Sequence, residues 1–319
     1  MLGATGTIGR ATVRALVRHG HEVVCFGRPR RDARSTTAAP TAGVTVRDGD
    51  VGDPASIARD GFMGERFDAV ISCMASRTGT PRDAWAVDHQ AHLHVLEAAK
   101  RADVPQMVLL SAICVQKPRL AFQEAKLAFE RALMTSGLTW SIVRPTAFFK
   151  SLSGQVDRVR DGKPFLVFGD GTLTSCKPIS DDDLAEFLAG CLTDPARHNR
   201  VLPIGGPGEA QTPRQQGEQL FALLGREPRF THVPVALLDA IIGILSVAGR
   251  IVPLLADKAQ LARIGRYYAT ESMLVWDDAA NRYDAAATPS TGQDTLAEFF
   301  AKRLRGEATD DRGEHAVFQ

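Results

Sequence analysis

The amino-acid sequence predicts an α/β fold, a doubly wound parallel sheet followed by a smaller C-terminal lobe that binds substrate. Three observations indicate this fold. Short apolar runs alternate with helical patterns through residues 1–146, as expected when helices cover both faces of a parallel sheet. A glycine-rich turn opens the chain, and the alternation stops after Pro145. We therefore place the domain boundary between residues 146 and 147.

The opening turn, Met1-Leu2-Gly3-Ala4-Thr5-Gly6-Thr7-Ile8-Gly9, has a glycine at every third position and precedes a helical pattern. The first glycine suits a tight turn, the second lets the backbone approach a pyrophosphate, and the third lets the helix pack closely on the sheet. The N-terminus of that helix favours an anion. The turn therefore predicts a Rossmann dinucleotide-binding domain, and a purely structural turn is the alternative. The predicted cofactor contacts are Gly3, Thr5, Gly6, Ile8 and Gly9.

Only Met1 and Leu2 precede this turn, whereas a strand normally has about five residues. In a doubly wound sheet the strand before the glycine turn is central and pairs on both sides. We therefore expect an apolar strand of about five residues before Leu2 in the working protein, from an earlier start. The alternative is a sheet that closes over the gap, with the two neighbouring strands pairing directly.

Strands are predicted where apolar runs end in turn residues, and helices where apolar residues recur every three or four positions. The predicted strands are 22–26, 44–47, 67–74, 106–115, 139–143, 165–168 and 201–204. The predicted helices include 85–101, 120–135, 181–191 and one that opens at Thr212. We expect residues 175–205 to return to the first domain, residues 147–304 to form a mostly helical lobe, and residues 305–319 to be a disordered tail.

Composition excludes several classes of protein. With 38 basic and 37 acidic side chains among 319 residues, the formal net charge is +1, which argues against nucleic acid as a partner. Five cysteines are scattered without a CxxC pair, so neither disulfides nor a metal site is expected. His89, His92 and His94 lie close in sequence, but no further ligand is spaced to complete a metal site. The cytoplasm is the expected location because no secretory signal is recognisable.

Residues 233–256 are the most apolar stretch of the chain. They are numerous enough to span a bilayer, but they include two prolines and the charged residues Asp239 and Arg250. These residues favour two amphipathic helices around Gly249 over a transmembrane helix. Contact with a membrane surface stays open.

The end of the second strand of the domain, residues 22–26, indicates which dinucleotide binds. An acid at this position bonds the ribose 2′-hydroxyl of NAD, whereas an arginine accepts the 2′-phosphate of NADP. The strand is followed by Gly27 and Arg28, and no acid occurs before Asp32. Because a guanidinium pairs well with a phosphate, Arg28 predicts NADPH. The alternative is a basic surface turn.

Residues after the next two strands are predicted to line the cofactor, because ligands bind at the carboxyl edge of such a sheet. Asp50 and Val51 are placed to reach the adenine amino group, and a simple turn remains the alternative. Cys73, Met74 and Ala75 would lie along the cofactor.

Longer segments resemble a known family. The glycine turn, Ser111 after a strand, Lys126 on the next helix and the segment 143–146 resemble atypical short-chain dehydrogenase/reductases of the NmrA and isoflavone-reductase type. The resemblance is closer still to the NADPH-dependent 8-vinyl reductases of divinyl (proto)chlorophyllide, and it covers about residues 1–300. The segments that carry it are 72–79, 110–118, 148–155 and 265–273. The resemblance implies a tetrapyrrole substrate whose 8-vinyl group is reduced to ethyl in (bacterio)chlorophyll synthesis.

The chain departs from ordinary short-chain dehydrogenases at one position. Their Tyr-x-x-x-Lys motif is Phe122-Gln123-Glu124-Ala125-Lys126 here. Phenylalanine cannot exchange a proton with a carbonyl oxygen, which excludes alcohol oxidation through this residue. Reduction of a C=C bond does not need that hydroxyl, because a conjugated macrocycle can delocalise the charge.

Lys126 and Ser111 are the predicted catalytic residues. Lys126 would bond the nicotinamide ribose; protonation of the product is a second possible role, and a surface lysine is the alternative. Ser111 would contact the nicotinamide side or the substrate, or would only cap the strand end. Pro145 and Thr146 are the remaining predicted cofactor contacts.

A flat tetrapyrrole needs a broad apolar slot. We expect residues 233–268 to wall it, together with Phe148, Phe149, Tyr267 and Tyr268. Two other functions stay open: reduction of a smaller conjugated substrate, and NADP sensing without turnover.

Overall fold

The computed structural model describes residues 1–28 and 42–307. The chain divides into two compact units: unit 1 is Met1–Ser76, Pro81–Arg144 and Asp181–Leu202, and unit 2 is Arg77–Thr80, Pro145–Ser180 and Pro203–Gln319. Asp32 and the predicted tail from residue 308 onward lie outside the described residues. The boundary drawn at residue 146 and the return of residues 175–205 stay predictions.

Strands and helices alternate through the first half of the chain. In chain order the strands are β1 (Val23–Gly27), β2 (Val44–Asp48), β3 (Val70–Ser72), β4 (Gln106–Leu110), β5 (Thr139–Pro145), β6 (Phe165–Phe168), β7 (Arg200–Ile204), β8 (Phe230–Val233), β9 (Val275–Asp277) and β10 (Arg282–Asp284). The helices are α1 (Thr7–Arg18), α2 (Pro54–Ser56), α3 (Pro81–Ala84), α4 (His92–Arg101), α5 (Ala121–Met134), α6 (Phe149–Leu152), α7 (Val156–Arg160), α8 (Asp181–Gly190), α9 (Pro213–Leu223), α10 (Val235–Ala248), α11 (Pro253–Thr270) and α12 (Leu296–Leu304). π-Helical segments, Ile57–Phe62 and Trp85–Ala91, extend α2 and join α3 to α4.

The predicted parallel sheet is present in unit 1. β1 pairs in parallel with β2, and β4 pairs in parallel with β3 and β5; β7 lies beyond β5. Met1 and Leu2 lie between β1 and β3. The N–H of Leu2 donates to the carbonyl oxygen of Ile71 at 2.9 Å, and the N–H groups of Phe26 and Cys73 donate to Met1 and Leu2 at 3.0 Å each. The two neighbouring strands are therefore joined through these residues.

Helices pack on the sheet because each has an apolar face. Phe122 and Phe129 of α5 are buried, as the predicted helical stripe requires, and Phe129 belongs to a core cluster with Val95 of α4 and Met107 of β4. Helix α1 packs against α8, and Arg14 of α1 lies 2.8 Å from Asp182. These contacts cover the sheet and leave its carboxyl edge to loops.

Two predicted strands are too long. Residues 67–74 form a strand only over β3, and residues 106–115 only over β4, which is followed by a 3₁₀ turn at Ile113–Gln116. The second apolar run continues beyond β4 because residues of the following loop are also buried; Ile113 is only 1% exposed. The length of an apolar run therefore indicates which residues are buried, and it does not give the length of the strand.

Unit 2 has a core of its own. Phe149, Val156, Phe165, Leu220 and Phe300 bring together α6, α7, β6, α9 and α12. β6 pairs in parallel with β8. β9 and β10 form an antiparallel pair.

Helices α10 and α11 pack against each other as a helical hairpin, as the sequence predicts for two helices around Gly249. None of the residues of α10 is buried, although the helix is strongly apolar. Ile244 and Val247 are 70% and 63% exposed, and Ile251 in the connecting turn is 85% exposed. Within the described ranges, the helices are too short or too polar to cross a membrane.

Candidate functional site at the carboxyl edge of the sheet

The glycine turn between Leu2 and α1 packs directly on neighbouring backbone. Gly3 has a φ of +71°, which favours glycine, and the N–H of Gly6 donates to its carbonyl oxygen at 3.1 Å. A Cβ at Gly3 would lie 2.6 Å from the carbonyl carbon of Cys73, and a Cβ at Gly9 would lie 2.0 Å from the carbonyl oxygen of Gly3. Both positions therefore exclude a side chain.

This turn has the features of a pyrophosphate cradle. Helix α1 begins at Thr7, and no side chain caps its first amides. Among the described residues, a Cβ at Gly6 would meet only the carbonyl oxygen of Gly3, at 3.5 Å, so this face of the turn can accept a ligand. Backbone N–H groups at the positive end of a helix dipole attract an anion. The residues of the turn therefore fit a dinucleotide.

Two further predicted cofactor contacts follow β1 and β2. These strands are parallel with Gly27 opposite Asp48, so Arg28 and Asp50 emerge at the same edge. Arg28 is exposed. Oδ1 of Asp50 accepts a hydrogen bond from the N–H of Gly52 at 2.8 Å, so these residues form a turn. Contact of Asp50, or of the half-buried Val51, with adenine stays a prediction.

Cys73, Met74 and Ala75 follow β3 beside the glycine turn. Sγ of Cys73 lies 3.7 Å from Oγ1 of Thr12, and burial raises the pKa of the thiol to about 12. Cys73 is therefore a neutral thiol at physiological pH and not a nucleophile. The side chain of Ala75 is exposed, and contact of these three residues with a cofactor stays a prediction.

Lys126 is not a surface lysine. Its Nζ lies 2.9 Å from Oδ1 of Asp88, and the two side chains are 11% and 0% exposed. Oδ1 of Asp88 also accepts a hydrogen bond from the N–H of Ser76 at 3.2 Å. Burial alone would raise the pKa of Asp88, but the charge of Lys126 and these hydrogen bonds outweigh burial and hold the pKa below its usual range. The Asp88 carboxyl group is therefore ionised, and Lys126 is held close to the loop after β3.

His92 lies one turn after Asp88 and faces the core. Its ring nitrogens lie 2.8 Å from the carbonyl oxygen of Val87 and 2.8 Å from Oγ of Ser72. Since a carbonyl can only accept, we assign the ring proton to Nδ1, and the Ser72 hydroxyl donates to Nε2. Burial, aided by the charge of Lys126, lowers the pKa of His92 to about 4. His92 is therefore neutral.

The other two histidines of this helix face elsewhere. The His89 ring packs edge-on against Trp85 with centroids 5.1 Å apart, and Nε2 of His94 lies 2.8 Å from the side-chain nitrogen of Gln90. In the part of the chain that the structure describes, no group of three or more histidine, cysteine or acidic side chains could hold a metal ion.

Ser111 belongs to a second buried network on α5. Its hydroxyl donates to Oε1 of Glu130 at 2.5 Å, and its N–H donates to the carbonyl oxygen of Val143 at 2.7 Å. Glu130 is 0% exposed and forms an ion pair with Arg144. The Ser111 hydroxyl therefore already donates its hydrogen bond to Glu130. Sequence reasoning missed Glu130; the available signal was an acid one helical turn after Lys126, next to the buried Phe129.

The remaining predicted residues lie in unit 2. Thr146 donates its N–H to the carbonyl oxygen of Ile204 at 2.9 Å, and its hydroxyl bonds the carbonyl oxygen of Lys177. Pro145 ends β5. The contacts of Pro145 and Thr146 with a cofactor stay predictions.

The four aromatic side chains predicted to wall a substrate slot differ in burial. Phe148 is half-buried. Phe149 is 3% exposed and packs on Phe299 with ring centroids 5.5 Å apart. Tyr267 is 4% exposed and Tyr268 is 42% exposed. Their contact with a substrate stays a prediction.

The fold and the cradle define an NAD(P)-binding protein of the Rossmann class, and the NAD(P)H-binding family matches residues 3–195. The chain is 49% identical over 327 residues to the chloroplastic divinyl chlorophyllide a 8-vinyl-reductase of Oryza sativa subsp. indica. The matched region covers 99% of this chain and 81% of the rice protein. Identity to the Arabidopsis thaliana protein of the same name is 46% over 330 residues, 98% of this chain and 78% of the relative. The chain belongs to the divinyl chlorophyllide a 8-vinyl-reductase family, as its sequence motifs predicted.

A solved structure shares the fold. The NADPH-dependent quinone oxidoreductase QOR2 of Escherichia coli, complexed with NADPH, superposes with a TM-score of 0.67 over 95% of this chain and 98% of that chain, at 19% identity. This similarity confirms the predicted α/β fold class.

The glycine cradle leads to a direct prediction. Gly9→Ala puts a methyl group where the carbonyl oxygen of Gly3 lies, so the turn must shift. Loss of one backbone bond to the pyrophosphate costs about 1.5–3 kcal/mol, and we expect NADPH to bind roughly ten- to a hundred-fold more weakly. NADPH fluorescence titration measures this change. Gly243→Ala is the matched control, because a Cβ there meets no atom within 4 Å; wild-type affinity in Gly9→Ala would contradict the cradle.

Proposed function

We propose that this protein uses NADPH to reduce the 8-vinyl group of divinyl chlorophyllide or protochlorophyllide to ethyl. The observation that carries the proposal is family membership at 49% identity over 99% of the chain, joined to an intact dinucleotide cradle. The reaction adds a hydride to one vinyl carbon and a proton to the other, and it converts NADPH to NADP⁺. These relatives are named as chloroplastic proteins; a cytoplasmic location of this chain, with peripheral membrane contact, stays a prediction.

The residues of the carboxyl edge have separate roles. The glycine turn binds the pyrophosphate, Arg28 binds the 2′-phosphate, and Lys126 bonds the nicotinamide ribose. When bound, NADPH supplies the hydride. Reduction of a vinyl group needs no side chain that exchanges a proton with a carbonyl oxygen. The buried Phe122 at the position of the usual tyrosine agrees with this. Ser111 can donate a hydrogen bond to a ligand only if its hydroxyl leaves Glu130.

A coupled assay tests the function. Purified protein, NADPH and a divinyl pigment are mixed, nicotinamide absorbance is followed, and the extracted pigment is analysed. We expect one 8-ethyl pigment for each NADPH oxidised. Binding of NADPH without oxidation would favour the sensing regulator, and oxidation only with a smaller conjugated substrate would favour the other reductase.

Cofactor choice is tested at Arg28. A charge-assisted bidentate pair contributes about 1.5–3 kcal/mol, so Arg28→Ala should weaken NADPH roughly ten- to a hundred-fold and leave NADH almost unchanged. Titration of both dinucleotides measures the two affinities. Arg101→Ala, at the exposed C-terminal end of α4, is the control and should change neither. An equal loss for both dinucleotides in Arg28→Ala would overturn the assignment.

The exposed helix α10 supplies apolar surface for the pigment. None of its side chains is buried in the part of the chain that the structure describes, and a flat macrocycle needs an apolar surface. An isoleucine that becomes buried contributes about 1.5–3 kcal/mol.

Ile244→Asp should therefore weaken pigment binding roughly ten-fold or more and leave the Kd for NADPH unchanged. Fluorescence titration with pigment measures the effect. Val46→Asp, at a 72% exposed apolar position of β2, is the matched control. Unchanged pigment affinity, with loss of binding to lipid vesicles instead, would assign α10 to a membrane surface.

A further inference from the structure

Asp88 is absent from the predicted site, yet its carboxylate contacts two parts of the cofactor edge. Oδ1 lies 2.9 Å from Nζ of Lys126 on α5 and accepts the N–H of Ser76 at 3.2 Å. Ser76 lies in the loop that follows β3, and Lys126 is the predicted ribose contact. One carboxylate oxygen therefore links the loop to the lysine.

Because Asp88 is buried, losing its pairing with Lys126 would have a large effect on stability. The carboxylate is 0% exposed, and in the described chain its second oxygen, Oδ2, is buried without a hydrogen-bond partner. A buried charge that loses its partner is strongly destabilising. Without Lys126 beside it, the Asp88 charge would be uncompensated.

Neighbouring groups do not replace either partner. His92, one turn after Asp88, is neutral because its pKa is lowered to about 4. Glu130, one turn after Lys126, pairs with Arg144 and accepts the Ser111 hydroxyl. The buried charges on this side of the sheet are thus matched in two separate pairs.

We propose that Asp88 is the positioning residue for Lys126: it holds the side-chain nitrogen at the cofactor edge, where this nitrogen bonds the nicotinamide ribose and stays paired with the carboxylate. The ribose contact rests on the proposed function. It follows that Lys126 anchors the cofactor and that the proton delivered to the product comes from another donor. This assigns one of the two roles that the sequence left open for Lys126.

A double-mutant cycle on NADPH binding, without pigment, tests the proposal. Asp88→Asn and Lys126→Met should each weaken NADPH at least about five-fold. Because Asp88 acts through Lys126, Asp88→Asn should cause no further loss in the Lys126→Met background. Wild-type affinity in Asp88→Asn, or the same loss from Asp88→Asn in both backgrounds, would overturn the proposal.

Thermal unfolding separates positioning from loss of fold. Each single variant leaves one buried charge, whereas the double variant removes both, so the double variant should melt above Lys126→Met. If Asp88→Asn does not fold, the comparison of Lys126→Met with the double variant still decides, and a further loss of NADPH affinity overturns the proposal. Asp157→Asn is the control: Asp157 pairs with the buried Arg303 of unit 2 at 2.9 Å, and its loss should leave NADPH affinity unchanged.

Turnover distinguishes the anchor from the proton donor. At saturating NADPH, Lys126→Met should keep more than about a tenth of the wild-type kcat, with the main defect in the KM for NADPH. Loss of kcat beyond about a hundred-fold at saturation would make Lys126 the donor and overturn the assignment. If the wild-type protein does not reduce the vinyl group, the proposed function fails, while the binding cycle still tests the Asp88–Lys126 coupling.

Discussion

The close packing of the glycine turn on the backbone of neighbouring strands is the constraint on which the rest of unit 1 depends. Gly3 lies against the Cys73 backbone, and Gly9 lies against Gly3 itself, at distances that exclude a Cβ. Met1 and Leu2 bond both β1 and β3. The turn is thereby held where the strands end, and α1 presents its amides to the same edge. The cradle is therefore a property of packed backbone and does not require a particular side chain.

Helix α5 brings the charged groups to this edge. Its apolar stripe, with Phe122 and Phe129, packs into the core, and the same face carries Lys126 and Glu130. Both charges are buried and paired, Lys126 with Asp88 and Glu130 with Arg144. Burial of unpaired charge is costly, so these pairs tie α5 to the helix before β4 and to β5. A phenylalanine in place of the usual tyrosine leaves this edge suited to reduction of a C=C bond.

The sequence predicted the parts of this site that depend on local pattern. The glycine spacing indicated the cradle, and strand alternation indicated the parallel sheet, because both follow from backbone geometry over a few residues. Asp88 and Glu130 were not predicted, because their partners are 38 and 14 positions away, at Lys126 and Arg144. A single sequence shows such acids as ordinary helix residues. The ends of β3 and β4 were also misplaced; for β4 the reason is that the following residues, 113–115, are as apolar and buried as the strand.

Hydride transfer from NADPH to the vinyl group is the central claim, and isotope transfer tests it most directly. The protein is incubated with divinyl chlorophyllide and NADPH that carries two deuterium atoms at C4 of the nicotinamide, and the product is analysed by mass spectrometry. The account predicts one deuterium in the 8-ethyl group, with the second added hydrogen coming from solvent. An 8-ethyl product without deuterium, or oxidation of NADPH without any change in the pigment, would contradict it.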